Sequence, residues 1–247
     1  MMPVVREAGR IALRHFRHVK GEQKPDRSPV SEADREVERF LVREIRERYP
    51  EHAVVGEEYG ESGKGSVDYE WAIDPIDGTL SFLAEMPIWA VSVGLLFENR
   101  PVLGMVYAPV IEEFYCGSEE TGAWLNDTQL ILDRPNPICE NSPLLAFSNA
   151  WKKMRLRFPG KVWCHGSAAV HLAMVAKGTV VGTICEPPLV WDIAAAAVIA
   201  RQAGADVRFL SGGAMDTRAF TGHRSPQPVV AAHPAVIDEL MAMMEWL

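Results

Sequence analysis

The segment Trp71-Ala72-Ile73-Asp74-Pro75-Ile76-Asp77-Gly78-Thr79 constrains this chain more than any other. Its apolar start reads as a short buried strand that ends at Asp74. Pro75 restricts the backbone between two acids, so that both carboxylates can converge on one point. Gly78 permits close backbone approach, and Thr79 follows with a hydroxyl. A helix starting there would offer free N–H groups and a positive dipole end to an anion.

Other elements are legible around this junction. Val5, Ala8, Ile11, Ala12 and Phe16 form a helical stripe between Val4 and Val19. A charged loop with two prolines runs from Lys20 to Pro29. Ser31-Glu32-Ala33-Asp34 then opens a second helix with a capping-type residue, carried on by Val37, Phe40, Leu41 and Ile45 until Tyr49-Pro50. Ala53 to Gly56 predicts a strand running into Glu57-Glu58, and Gly60 to Ser66 a flexible loop. Strands are expected at Trp89–Phe97, Val102–Ala108, Phe114–Cys116 and Ala123–Leu125. Further on, helices are expected over Ser167–Lys177 and Asp192–Ala203, with strands at Val180–Ile184 and near Val207 and Val229. A closing helix spans Ala235–Trp246. The prolines between Arg134 and Pro143 suggest a boundary between two halves, 1–134 and 135–247, of a single unit. Strand pairs and layered helices together argue for an α/β (α+β) fold of several layers.

Composition narrows the class. The chain has 247 residues and a net charge of −8, which opposes non-specific binding to nucleic acid or an anionic membrane. No apolar run is long enough for a membrane span, and Met1 to Glu7 lacks the apolar stretch of a signal peptide. Cys116, Cys139, Cys164 and Cys185 form no Cys-x-x-Cys pair, so reduced thiols in a cytoplasmic protein are expected, and no zinc site. The seven histidines show no ligand spacing. An acidic chain can still take an anionic substrate where clustered carboxylates hold divalent cations.

Three acidic segments fall at strand ends or helix starts: Glu57-Glu58, Asp74 with Asp77, and Asp192. Each alone has a plain explanation. An Asp-Gly is usually a turn, Glu57-Glu58 a solvated pair, and Trp191-Asp192 an indole beside a helix cap. Their joint occurrence in order is hard to explain by packing, and hard divalent cations prefer such oxygen ligands.

The run from Trp71 to Thr79 with Phe82 resembles the signature of the inositol monophosphatase family, within the metal-dependent, lithium-sensitive sugar phosphatase superfamily. Trp191-Asp192-Ile193-Ala194-Ala195, Gly56-Glu57-Glu58, Ser28 to Asp34 and Met86 to Gly94 resemble its other segments. The resemblance covers Val5 to Ala232. It implies a layered αβαβα sandwich and a phosphatase of a small phosphorylated metabolite, acting as a homodimer with two or three Mg2+ per active site. Glu57, Asp74 and the carbonyl of Ile76 would hold one ion, Asp74, Asp77 and Asp192 a second, and Glu57 a third. Asp34, Thr79 and Glu57 form the implied catalytic group, with Asp34 and Thr79 positioning the attacking water. Gly78 and Thr79 would bind phosphate oxygens. Ser167, Ala168 and Glu186, with Asp192, would contact the substrate, and Lys24 lies in the loop that the family uses near its metals.

Some positions depart from the pattern. Leu80-Ser81 stands where inositol-type members often show Thr-Asn and histidinol-phosphate members a basic residue. Ala195-Ala196-Ala197 and Gly204-Ala205 replace common glycines, and the first helix begins several residues late. No expected metal-ligand position is lost.

Overall fold

The computed structural model describes residues 1–25, 27–62 and 66–247. Asp26, within the expected Lys20–Pro29 loop, and Gly63–Gly65, within the expected Gly60–Ser66 loop, lie outside the described residues. Seven α-helices are seen in the described residues: α1 (Met2–His15), α2 (Glu32–Arg48), α3 (Thr79–Leu83), α4 (Ala150–Lys153), α5 (Ala168–Ala176), α6 (Val190–Ala203) and α7 (Ile237–Ala242).

An eight-stranded sheet runs in the order Thr128–Leu130, Gly122–Leu125, Glu113–Ser118, Arg100–Ala108, Ala90–Phe97, Ser66–Asp77, His52–Gly56, Gly60–Ser62. Within this sheet, among the described residues, only the His52–Gly56 and Ser66–Asp77 pair is parallel. A five-stranded mixed sheet follows in the order Lys161–Trp163, Pro143–Ala146, Gly182–Cys185, Val229–Ala232, Asp206–Phe209.

Side-chain alternation explains the layers. Along the central strands Val91, Val93, Met105 and Phe114 join the core beneath α1 and α2. Their neighbours Ala90, Val106, Ala108 and Tyr115 join the core around α5 and α6. Successive residues on a strand face opposite sides, so these strands are apolar throughout because both faces are covered. A third core, from Leu144, Ile184 and Val230 to Ile237 and Leu240, packs α7 on the far side of the second sheet. The result is an α/β protein layered αβαβα.

The alanine run of α6 has a packing reason. A Cβ on Gly104 would sit 2.0 Å from the Ala195 carbonyl oxygen, and one on Gly94 would sit 3.0 Å from the Ala195 nitrogen. Small residues on both surfaces let the helix lie against the sheet backbone, which fixes where its first turn points.

Several expectations are corrected. The strand at Trp71 is far longer, Ser66–Asp77, because its apolar core is flanked by residues that still pair with Ala90–Phe97. Gly60–Ser62, expected in a loop, pairs antiparallel with His52–Gly56 through Gly56↔Gly60. Glu57-Glu58, expected where the strand from Ala53 to Gly56 ends, does follow that strand and sits in the hairpin turn between the two. The closing helix stops at Ala242, and Met244–Trp246 turns into a strand against Met154–Leu156. The elements between Pro143 and Trp163 have no counterpart in the sequence reading.

Candidate active site

The two aspartates meet through a bulge. Residues three apart on a regular strand face opposite sides. The pairing to Ala90–Phe97 shifts between Asp74↔Ser92 and Asp77↔Ala90, which adds one residue at Pro75-Ile76. That extra residue reverses the parity, and both carboxylates line one cleft of about 330 Å³. Pro75 has no N–H to lose from the ladder. The Ile76 N–H donates to Asp74 at 3.0 Å and tightens the bend.

Gly78 follows with φ 97, a left-handed conformation, and caps α3. A Cβ there would lie 3.1 Å from the Gly166 carbonyl, so the junction also marks where the two sheets' loops touch. Ser81 fastens the same contact, donating to the His165 carbonyl at 2.7 Å.

Asp34 reaches this junction from α2. Its carboxylate accepts from the Ser31 N–H at 2.8 Å and hydroxyl at 2.6 Å, a capping arrangement. It also accepts from the Thr79 hydroxyl at 3.2 Å, which lies 3.1 Å from the Ile76 carbonyl. Burial raises the Asp34 pKa against the pull of the Ser31 bonds.

The first turn of α5 meets Asp77. Ser167 Oγ donates to its carboxylate, as do the N–H groups of Ala168 at 3.2 Å and Ala169 at 2.7 Å. Ser167 and Ala168, expected against the alcohol half of a substrate, are thus engaged with Asp77, as befits a carboxylate at a helix N-terminus. Even so, burial pushes Asp77 up to about 6.

Asp192 is the third residue of α6 and accepts the Leu189 N–H at 2.7 Å. Burial, then the Asp77 charge, push it up to about 8. Asp74 is also raised, by burial first and then by Glu57, Asp77 and Asp192. Glu57 lines the same cleft and pairs with Lys24 at 3.0 Å, while Lys24 meets Glu58 at 2.7 Å. Burial alone would lower the Lys24 pKa, but the two glutamates outweigh it and hold the ammonium charged. Burial pushes Glu58 up to about 7.

Glu186, also in the cleft lining, is ion-paired to Lys153 of α4, a partner that sequence patterning did not flag. Phe147, Pro187, Pro188, exposed Arg224 and exposed Leu80 also line the cleft. His171 also lines the wall. It accepts the His165 N–H at 3.1 Å, and burial then the nearby His165 push it down to about 3, so it serves as a neutral anchor for the loop. Its place in the first turns of a helix with an apolar face gave no sequence signal.

Residues 1–243 match the sequence model described as Inositol monophosphatase family. The chain belongs to this family. A fructose-1,6-bisphosphatase/inositol-1-monophosphatase of Aquifex aeolicus is 34% identical to it over 210 residues, 79% of each chain. Nus factor SuhB of Escherichia coli (strain K12) is 30% identical over 254 residues, 97% of this chain and 92% of that one. The inositol monophosphatase (IMPase) of Thermotoga maritima has a similar structure, with a TM-score of 0.84 at 28% identity, over 98% of this chain and 93% of that one.

For this inositol monophosphatase family member, the donor chemistry suits a hard divalent cation. Four carboxylates and the Ile76 carbonyl would all offer oxygen donors, and a cation would offset the burial, and after it the neighbouring negative charge, that raises Asp74, Asp77 and Asp192. As placed, no three acidic, histidine or cysteine side chains among the described residues converge on one point. The carboxylates are instead turned to Lys24, Ile76, Ser167, Ala169 and Leu189, contacts that a shift of side-chain rotamers would exchange for an ion. No helix among the described residues is long and apolar enough to cross a membrane.

Proposed function

We propose that the chain is a Mg2+-dependent phosphomonoesterase of a small phosphorylated metabolite, working in the cytoplasm as a homodimer. The observation that carries this reading is the set Glu57, Asp74, Asp77 and Asp192, drawn from a hairpin turn, a bulged strand and a helix start to one cleft. Those residues, with the Ile76 carbonyl, are the proposed metal ligands. Mg2+, when bound, supplies the positive charge that a phosphate dianion and its attacking water require.

The protein's own part is positioning. Asp34 accepts the Thr79 hydroxyl and aligns it at the cleft, where the pair orients water and takes its proton. The Gly78-Thr79 backbone holds phosphate oxygens, and Glu186 faces the leaving alcohol. Inositol monophosphate is the first-choice substrate. Histidinol phosphate and fructose 1,6-bisphosphate are the alternatives, the latter supported by the name of the Aquifex relative.

Similarity to Nus factor SuhB favours a second reading, a regulatory factor that binds metal or phosphate without turnover. Phosphate release separates the two. Wild type and Asp34→Asn are compared on inositol phosphate, histidinol phosphate, fructose bisphosphate and adenosine bisphosphate with Mg2+. Turnover lost in Asp34→Asn supports the enzyme; folded wild type inert on all four substrates supports the factor.

A further inference from the structure

The geometry points to Glu38 as a positioning residue for Glu57: its buried carboxylate clamps the hairpin turn that carries Glu57 into the cleft. This inference rests on the reading of the cleft as a metal-dependent phosphatase site.

Glu38 follows Asp34 by four residues on the buried face of α2, beside Val37 and Leu41. Residues at this spacing lie one above the other on a helix. A carboxylate left alone among apolar side chains is costly, so its partners show what it is for. One oxygen accepts the Glu58 N–H and the other the Tyr59 N–H, each at 2.9 Å. The preceding N–H, of Glu57, donates to the Ile73 carbonyl at 3.2 Å. Three consecutive N–H groups are thereby pinned, two of them by Glu38, and Lys24 is left for the Glu57 and Glu58 side chains.

Gly56 supplies an independent sign of the same clamp. A Cβ there would lie 2.2 Å from Glu38 Oε1, so the strand before the turn makes room for this carboxylate. Neighbouring Arg39 adds a bond to the Tyr59 hydroxyl at 3.0 Å. One helix thus holds the cleft lining at two points, through Asp34 at Thr79 and through Glu38 behind Glu57. Residues that orient a ligand from behind typically change metal affinity about ten- to a hundredfold when altered.

The test uses the purified full chain and Mg2+ alone, titrated by calorimetry, with melting followed in chelator. Glu38→Gln keeps the volume but turns an amide NH2 toward one of the two N–H groups. Glu38→Asp keeps the charge and withdraws it by one methylene. Both variants are expected to fold and to bind Mg2+ about ten- to a hundredfold more weakly. The Mg2+ concentration for half-maximal phosphate release should rise by the same factor, with kcat recovered at saturation. Wild-type Mg2+ affinity in both folded variants would overturn the inference, and so would failure of both to fold, which would mark Glu38 as structural. Absence of Mg2+ binding by the wild type would instead refute the underlying reading of the site.

Discussion

Replacing Asp192 by Asn should stabilise the metal-free protein at alkaline pH while abolishing its response to Mg2+. Burial and the Asp77 charge hold Asp192 at about 8 in the folded chain, against an ordinary 3.8. The folded state therefore keeps a proton that the unfolded chain has already released. The contribution of Asp192 to stability is full below pH 3.8 and falls as pH rises through the window from 3.8 to about 8. A rise of that size is worth up to roughly 6 kcal/mol. Asp192 is only half-buried at the cleft wall, so water screens part of this and the figure is an upper bound. The asparagine oxygen can still accept the Leu189 N–H, so the helix cap survives. Urea denaturation in chelator at about pH 5 and about pH 9 reads the effect. Wild type should lose several kcal/mol between the two, and Asp192→Asn clearly less. With Mg2+ added, only wild type should gain stability, because only its cleft binds the ion tightly. Equal pH dependence in the two proteins would show that the folded chain does not hold Asp192 protonated.

Other perturbations have equally definite outcomes. Asp34→Asn should lower kcat about a hundred- to ten-thousandfold, as loss of a proton-accepting group does, with the melting temperature little changed; steady-state phosphate release checks it. Gly78→Ala forces a side chain into a backbone at φ 97 and should cost about 1–2 kcal/mol of stability, read as a shift in denaturation midpoint. Lys153→Ala unpairs Glu186 at the alcohol end of the cleft, and should change KM while leaving kcat within about twofold, measured across the substrate panel.

How far the sequence carried the account depends on whether a feature is local. The helical stripes of α1 and α2, the strands about Ala90 and the alanine-rich α6 follow from periodicity, because one or two faces are covered along their length. Asp74, Asp77 and Asp192 stood out because acids interrupt apolar runs. The bulge at Pro75-Ile76 was not legible, since parity is set by pairing with another strand. Glu38 reads in isolation as one more acid of a charged helix, and its place among Val37, Leu41 and Ile45 was the available signal. Lys153 lies in a four-residue helix too short for any period. The tail methionines look helical locally, but Met244–Trp246 pairs with a strand about ninety residues earlier, as the Arg155–Glu245 contact also shows.

Phosphate release measured against free Mg2+ decides whether the cleft of Glu57, Asp74, Asp77 and Asp192 is a metal-dependent phosphatase site. A Mg2+-dependent cleft gives no release in chelator from inositol monophosphate or its alternatives, a saturable rise as Mg2+ is added, and full recovery when chelated protein is resupplied. Release that is indifferent to chelation would contradict it, as would folded protein that stays inert at every Mg2+ concentration.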